Sequence, residues 1–293
     1  MNTMPQPLIR FAASSMLAVL VFTSFNFATI TGTEKAWQLL NTAIAGNTDD
    51  RSTAVSVLAL IPNDAQAFHM ATEALDDLKP SVRIAACNAL AALNNKAAVP
   101  DLQKALADQE MPVVIACAHA LNTLKDDSAY DVYYAILTGE VKDSKGLLAK
   151  QLDTLRDPKQ LAQIGFNEGI GFVPFAGAGW DAFRYIHKTD PSPVRAAAAS
   201  VLATDPDPKS GQALIDATHD KNWLVRLAAL EALNRRADPD LRVDVEPAMY
   251  DTKKKVRLAA AAVVIHLGEL RKPHPTKRPT KPKTPTVSPH HPE

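Results

Sequence analysis

Apolar and small residues recur along this chain at helical spacing, in a block that itself repeats. Residues 225–233 read Val-Arg-Leu-Ala-Ala-Leu-Glu-Ala-Leu; near copies begin 31 residues later at Val256 and 31 residues earlier at Val194. Upstream, blocks beginning at Val82 and Val113 are again 31 apart. Counting the first Val as position 0, positions 0, +4 and +8 share one side of a helix, with +3 and +7 beside them. Alanine holds +3 (Ala85, Ala116, Ala197, Ala228, Ala259), and a larger aliphatic holds +8 (Leu90, Leu121, Leu202, Leu233, Val264). The small residues let neighbouring helices approach and the larger ones fill the layer between them. Such a fixed period predicts stacked helix pairs.

The same spacing locates the other helix of each pair. A helix over 34–45, capped by Thr33 and stopped at Gly46, precedes one over 51–58 capped by Asp49 or Asp50. Residues 64–76 pair with 82–93, and 98–107 with 113–124. Residues 126–138 and 144–155 form a degenerate pair carrying Tyr130, Tyr133 and Tyr134. The period then lapses, since Val194 lies 81 residues after Val113. In the gap, 164–180 is apolar and holds five of the eleven glycines. That run reads either as an internal helix–loop–helix with glycines at its crossing or as an exposed hydrophobic hairpin.

A polar pattern accompanies the apolar one. Asp77, Asp108, Asp220 and Asp251 each stand five residues before the block's Val, and Asp190 four before; Arg83, Arg195, Arg226 and Arg257 follow it. The aspartates suit a helix start, and stacked arginines can reach an Asp of a neighbouring repeat. A feature present in every layer belongs to the layer, so this ladder is read as structural.

With its preceding Asp, the Val-Arg-x-Ala-Ala-x-x-Ala-Leu motif resembles short HEAT repeats of the kind found in phycobilisome (bilin) lyase subunits, over about 33–124 and 180–270. The resemblance implies an all-α fold, a right-handed α-α superhelix (a HEAT/armadillo-like solenoid), here with a glycine-rich insertion. Deoxyhypusine hydroxylase is similar in helix pattern and binds iron through His-Glu pairs, but this chain has no His-Glu dipeptide. The expected organisation is a signal peptide or membrane anchor over 1–32, repeats over 33–125, a degenerate repeat plus insertion over 126–180, repeats over 181–270, and a disordered tail over 271–293.

Composition changes this picture only at the ends. Net charge is zero overall, which excludes a strongly basic nucleic-acid binder. The segment from Arg271 to Glu293, however, carries six Lys or Arg against Glu293, net +5, with seven prolines; it cannot build a core. Near the start, Arg10 precedes a dozen mostly apolar residues, the pattern of an export signal with a poor cleavage site. Export would allow Cys87 and Cys117 to pair. They lie one register apart in neighbouring repeats, and two buried thiols are the preferred expectation.

Catalytic chemistry is sparse. The eight histidines show no ligand spacing; His119 and His266 fall within apolar helices and read as core or groove residues. There is no phosphate loop, nucleophile elbow or zinc pattern. The expectation is therefore a protein without enzymatic activity, cofactor or metal: a scaffold of the cell envelope, periplasmic or membrane-anchored, that binds another protein. Candidate contact residues are Asn88, His119, Asn122 and Glu231 on the second helices, with Phe172, Phe175 and Trp180 in the insertion. The basic tail or N-terminal segment would supply any contact with a membrane or anionic envelope surface. Two alternatives accompany this reading: a bilin-lyase-like subunit acting on a partner-bound chromophore or cofactor, and a membrane-surface protein docking through the 164–180 hairpin.

Overall fold

The computed structural model describes residues 31–138 and 192–271, which are helical with no strand among them. The N-terminal segment, the helix expected at 144–155, the insertion with Phe172, Phe175 and Trp180, Asp190 and the tail beyond Arg271 lie outside the described residues. The first block comprises α1 (Gly32–Ile44), α2 (Thr48–Val57), α3 (Ala65–Glu73), α4 (Pro80–Leu93), α5 (Val99–Ala105), α6 (Met111–Thr123) and α7 (Ser128–Thr138). The second comprises α8 (Ser192–Leu202), α9 (Pro208–Ala217), α10 (Trp223–Arg236), α11 (Arg242–Val245) and α12 (Lys254–Leu270), with short 3-10 turns between. This is an all-α solenoid.

Two helix starts differ from the sequence expectation. α1 is capped by Thr31, not Thr33. The Thr31 hydroxyl accepts the Glu34 amide at 3.2 Å and the Glu34 carboxylate accepts the Thr31 amide at 2.7 Å. α2 is capped by Asn47 in the same reciprocal way with Asp50, not by Asp49 or Asp50. In both cases a capping box satisfies two orphan amides at once, which the nearer single cap would not do.

Within each block the second helices stack in sequence order: α2 on α4 and α4 on α6, which packs on α7; then α8 on α10 and α10 on α12. The first helices α3, α5 and α9 flank their partners α4, α6 and α10. The two blocks are joined in the reverse of their sequence order. α12, the last described helix, packs against α1 and also touches α2. The continuous stack therefore runs α8, α10, α12, α2, α4, α6, and its outer described elements, α7 and α8, are the two that flank 139–191. One apolar core runs through both blocks.

The sequence of α12 suits this interior place. From Val256 to Leu267 every residue except Arg257 is buried. A helix that is apolar all round must be covered all round, and α10, α11 and α1 cover it. α1 runs antiparallel to α12. Thr33 at its start lies so close to Gly268 that a Cβ there would sit 2.7 Å from the Thr33 hydroxyl. Asp49 and Asp50, just beyond the end of α1, hold the Lys254 ammonium at the start of α12.

Cys87 on α4 and Cys117 on α6 form a disulfide, with Cα atoms 5.0 Å apart. This corrects the expectation of two free buried thiols. The small residues bring α4 and α6 within the Cα range a disulfide requires, and the one-register offset places the two side chains opposite each other.

Candidate functional site

The second helices bury nearly everything they repeat, and what stays accessible is a narrow file at positions +6 and +10. Positions 0, +2 and +4 are buried on α4 (Val82, Ile84, Ala86), α10 (Val225, Leu227, Ala229) and α12 (Val256, Leu258, Ala260). The +6 residues are half-buried Ser200, Glu231, Ser56 and Asn88, and exposed His119. The +10 residues Thr204, Arg235, Ala92 and Thr123 are exposed. Only on α12, where α1 lies, is the file closed: Ala262 and His266 are buried. Polar side chains thus form two windows on the second-helix layer, one from each block.

Asn88, His119 and Asn122 share the window of α4 and α6; His119 and Asn122 are exposed and Asn88 is half-buried. His119 is therefore a surface residue, not the core residue its apolar neighbours suggest, because position +6 is where each second helix meets solvent. Glu231 stands apart from these three, in the other window. Burial pushes its carboxyl up to about 7, with Arg235 one turn away opposing the shift. Ser56 and Ser200 join the same file and were not singled out from sequence; the +6 register would have found them. His266 is a satisfied interior residue: its Nδ1 lies 2.9 Å from the Asn234 side-chain oxygen, and burial lowers its pKa.

The Asp/Arg ladder ties layer to layer. Each arginine grips an Asp of the next repeat through Nε and Nη2: Arg51 with Asp77 at 2.8 and 3.0 Å, Arg83 with Asp108 at 2.6 and 2.8 Å, Arg195 with Asp220 at 2.8 and 3.0 Å, and Arg226 with Asp251 at 2.6 and 2.8 Å. These are bidentate, charge-assisted pairs. The aspartates do not cap the following helix. Asp77, Asp108, Asp220 and Asp251 instead accept the amide two residues on, from Lys79, Glu110, Asn222 and Lys253, and so shape the turn. Arg51 pulls the Asp77 carboxyl below the usual carboxylate range, and Arg195 does the same for Asp220.

Between α1 and the turn before α12 lies an open groove of about 630 Å³, lined by Lys35, Gln38, Leu39, Tyr250 and Arg257 among others. Among the described residues no three His, Cys, Asp or Glu converge as a metal site, and no helix is long and apolar enough to cross a membrane.

The family model for HEAT repeats matches residues 33–122, 69–144 and 182–265. No curated protein matches the chain.

Proposed function

The chain belongs to the HEAT-repeat family, and from that premise we propose that it is a non-catalytic scaffold of the cell envelope that binds another protein on its second-helix surface. The observation that carries this reading is the division of labour along the helices. The repeated positions are consumed by packing and by the ladder, whereas the accessible file holds a different residue in nearly every layer. A surface that varies along a rigid, regular support is suited to reading an extended partner. Glu231 adds a specific demand. It is a half-buried carboxylate with no hydrogen-bond partner among the described residues, and a cationic side chain from a partner would relieve its desolvation.

The envelope setting rests on the export-like N-terminal pattern and is supported by the Cys87–Cys117 disulfide, since disulfides persist in oxidising compartments. A lyase activity like that of the bilin lyases finds no support beyond the repeat type, which serves many unrelated scaffolds.

The test is a crosslinking pull-down from native envelope with intact protein, an Asn88→Lys/His119→Glu variant and a Glu231→Lys variant. Loss of a captured protein in at least one variant, with melting unchanged, is the expected result. Capture that survives both variants would remove recognition from this surface.

A further inference from the structure

The ladder has one incomplete rung, and it faces the groove. Arg257 is seated like the other ladder arginines. Its Nη1 donates to the Asp251 and Thr252 carbonyls at 2.7 and 3.1 Å, as Arg226 Nη1 does to Asp220 O at 2.8 Å and Arg83 Nη1 to Asp77 O at 2.8 Å. In those two repeats, as in the repeats of Arg51 and Arg195, Nε and Nη2 then grip an Asp of the following layer. Arg257 has no such carboxylate among the described residues. The layer that follows α12 is α2, and there Ala45 stands six residues before Arg51, where Asp77 stands before Arg83, while Arg51 Nη1 donates to the next carbonyl, Gly46 O, at 3.1 Å; neither residue offers a carboxylate. Asp49 and Asp50, the carboxylates that α2 does offer, are both held by Lys254.

We infer that this rung is a binding site, in which Arg257 takes an Asp or Glu carboxylate from an acidic segment of a partner polypeptide. The groove supplies the rest of a carboxylate site. Exposed Lys35 adds a second cation and exposed Gln38 a side-chain amide donor; Leu39 and the exposed Tyr250 offer apolar surface for the residues on either side. Asp251, the acidic residue in the lining, has both carboxylate oxygens on Arg226, so the groove is positive on balance. The geometry required of the ligand is visible four times in the protein itself: an Asp at a turn, its carboxylate side-on to a guanidinium.

This inference rests on the scaffold reading, but its test is separable. The probe is a capped, fluorescent nonapeptide with the sequence of residues 75–83, which carries a ladder Asp in its own turn, followed by anisotropy against the full chain. Saturable binding is expected, weakened about tenfold or more by Arg257→Gln, in line with the loss of a bidentate charge-assisted pair. Arg257→Lys should restore it only in part. Lys35→Glu, an exposed change that leaves the core alone, should weaken it too, as should Asp→Asn at the ladder position of the peptide.

Absent binding to the intact chain, or binding indifferent to both Arg257→Gln and Lys35→Glu, would overturn the site. If removing residues 272–293 strengthens peptide binding, the groove is filled by the chain's own tail and the partner assignment falls. A captured envelope protein retained by Arg257→Gln leaves the scaffold standing and removes this site from it. Arg257-dependent peptide binding with no captured protein does the reverse.

Discussion

Lys254 and Asp49, 205 positions apart in sequence, are joined by an ion pair of 2.7 Å between Nζ and Oδ2, and Asp50 shares the same ammonium. The pair sits where the last described helix meets the first turn of α2, so it reports on the join that makes two sequence blocks into one stack. Most of the join is apolar and tight, as Gly268 against Thr33 shows.

Gly268→Val should therefore destabilise the protein by about 1–3 kcal/mol, the usual cost of overpacking. Thr33→Ala in the same chain should recover a good part of it, because the two residues meet directly. Lys254→Ala should cost less than Gly268→Val, since its carboxylate partners are partly solvated. Urea denaturation of Gly268→Val, Thr33→Ala, the two combined and Lys254→Ala measures all of this. Equal effects of Gly268→Val with and without Thr33→Ala would mean the two helices do not touch there.

Two arginines 31 residues apart should behave differently. Arg226→Met removes the bidentate partner of the Asp251 carboxylate and leaves it the Lys253 amide, and should cost about 1.5–3 kcal/mol. Arg257→Met strands no carboxylate and should cost about 1 kcal/mol, the loss of its hydrogen bonds to two backbone carbonyls. Melting of the two variants side by side distinguishes a complete rung from an open one.

The first of these contrasts shows what the sequence could and could not convey. The helix pairs, the ladder and the small-residue spacing were legible, because each is a local pattern with a fixed period. The order of stacking was not. Every repeat offers nearly the same faces, so α12 can accept α1 as readily as any later repeat, and no local pattern says which it will be. One signal was present: the run from Leu258 to Leu267 has no polar side, which suits an interior layer better than the end of an array. The open rung was hidden similarly, since Arg257 has the same sequence context as its paired counterparts and only the stacking order sets it beside a layer without an Asp at the ladder position. The pairing of Cys87 with Cys117 depended on a one-register offset between neighbouring helices, which spacing alone does not fix. Of the candidate surface, Asn88, His119 and Asn122 fall together and Glu231 lies in the other window, while Phe172, Phe175 and Trp180 lie outside the described residues.

The disulfide closes a loop of sequence separation 30. The chain-entropy relation for a loop of that size gives about 3–4 kcal/mol. A Cys87→Ala/Cys117→Ala variant should lose stability on that order, and reductant should lower the melting temperature of the intact protein while leaving the variant unchanged. A variant as stable as the intact protein would show that the bridge does not form.

Glu231 gives the stability an unusual pH slope. Its folded pKa, about 7, is raised above the ordinary value of 4.5. The folded state therefore binds its proton more tightly than the unfolded chain. The penalty for ionising it is absent below about 4.5, grows as pH rises towards 7 and is complete above that; in full it amounts to about 3 kcal/mol. Glu231→Gln should accordingly stabilise the protein at pH 8 by up to that amount and change little at pH 4. A stabilisation independent of pH would show that the carboxyl is not desolvated.

The two repeat blocks form one stack through α1 and α12, and zero-length carbodiimide crosslinking of the monomer with peptide mapping reads that join. A crosslinked peptide joining Lys254 to Asp49 or Asp50 is expected. A monomer in which Lys254 couples only to carboxylates of its own block, residues 192–271, would contradict it.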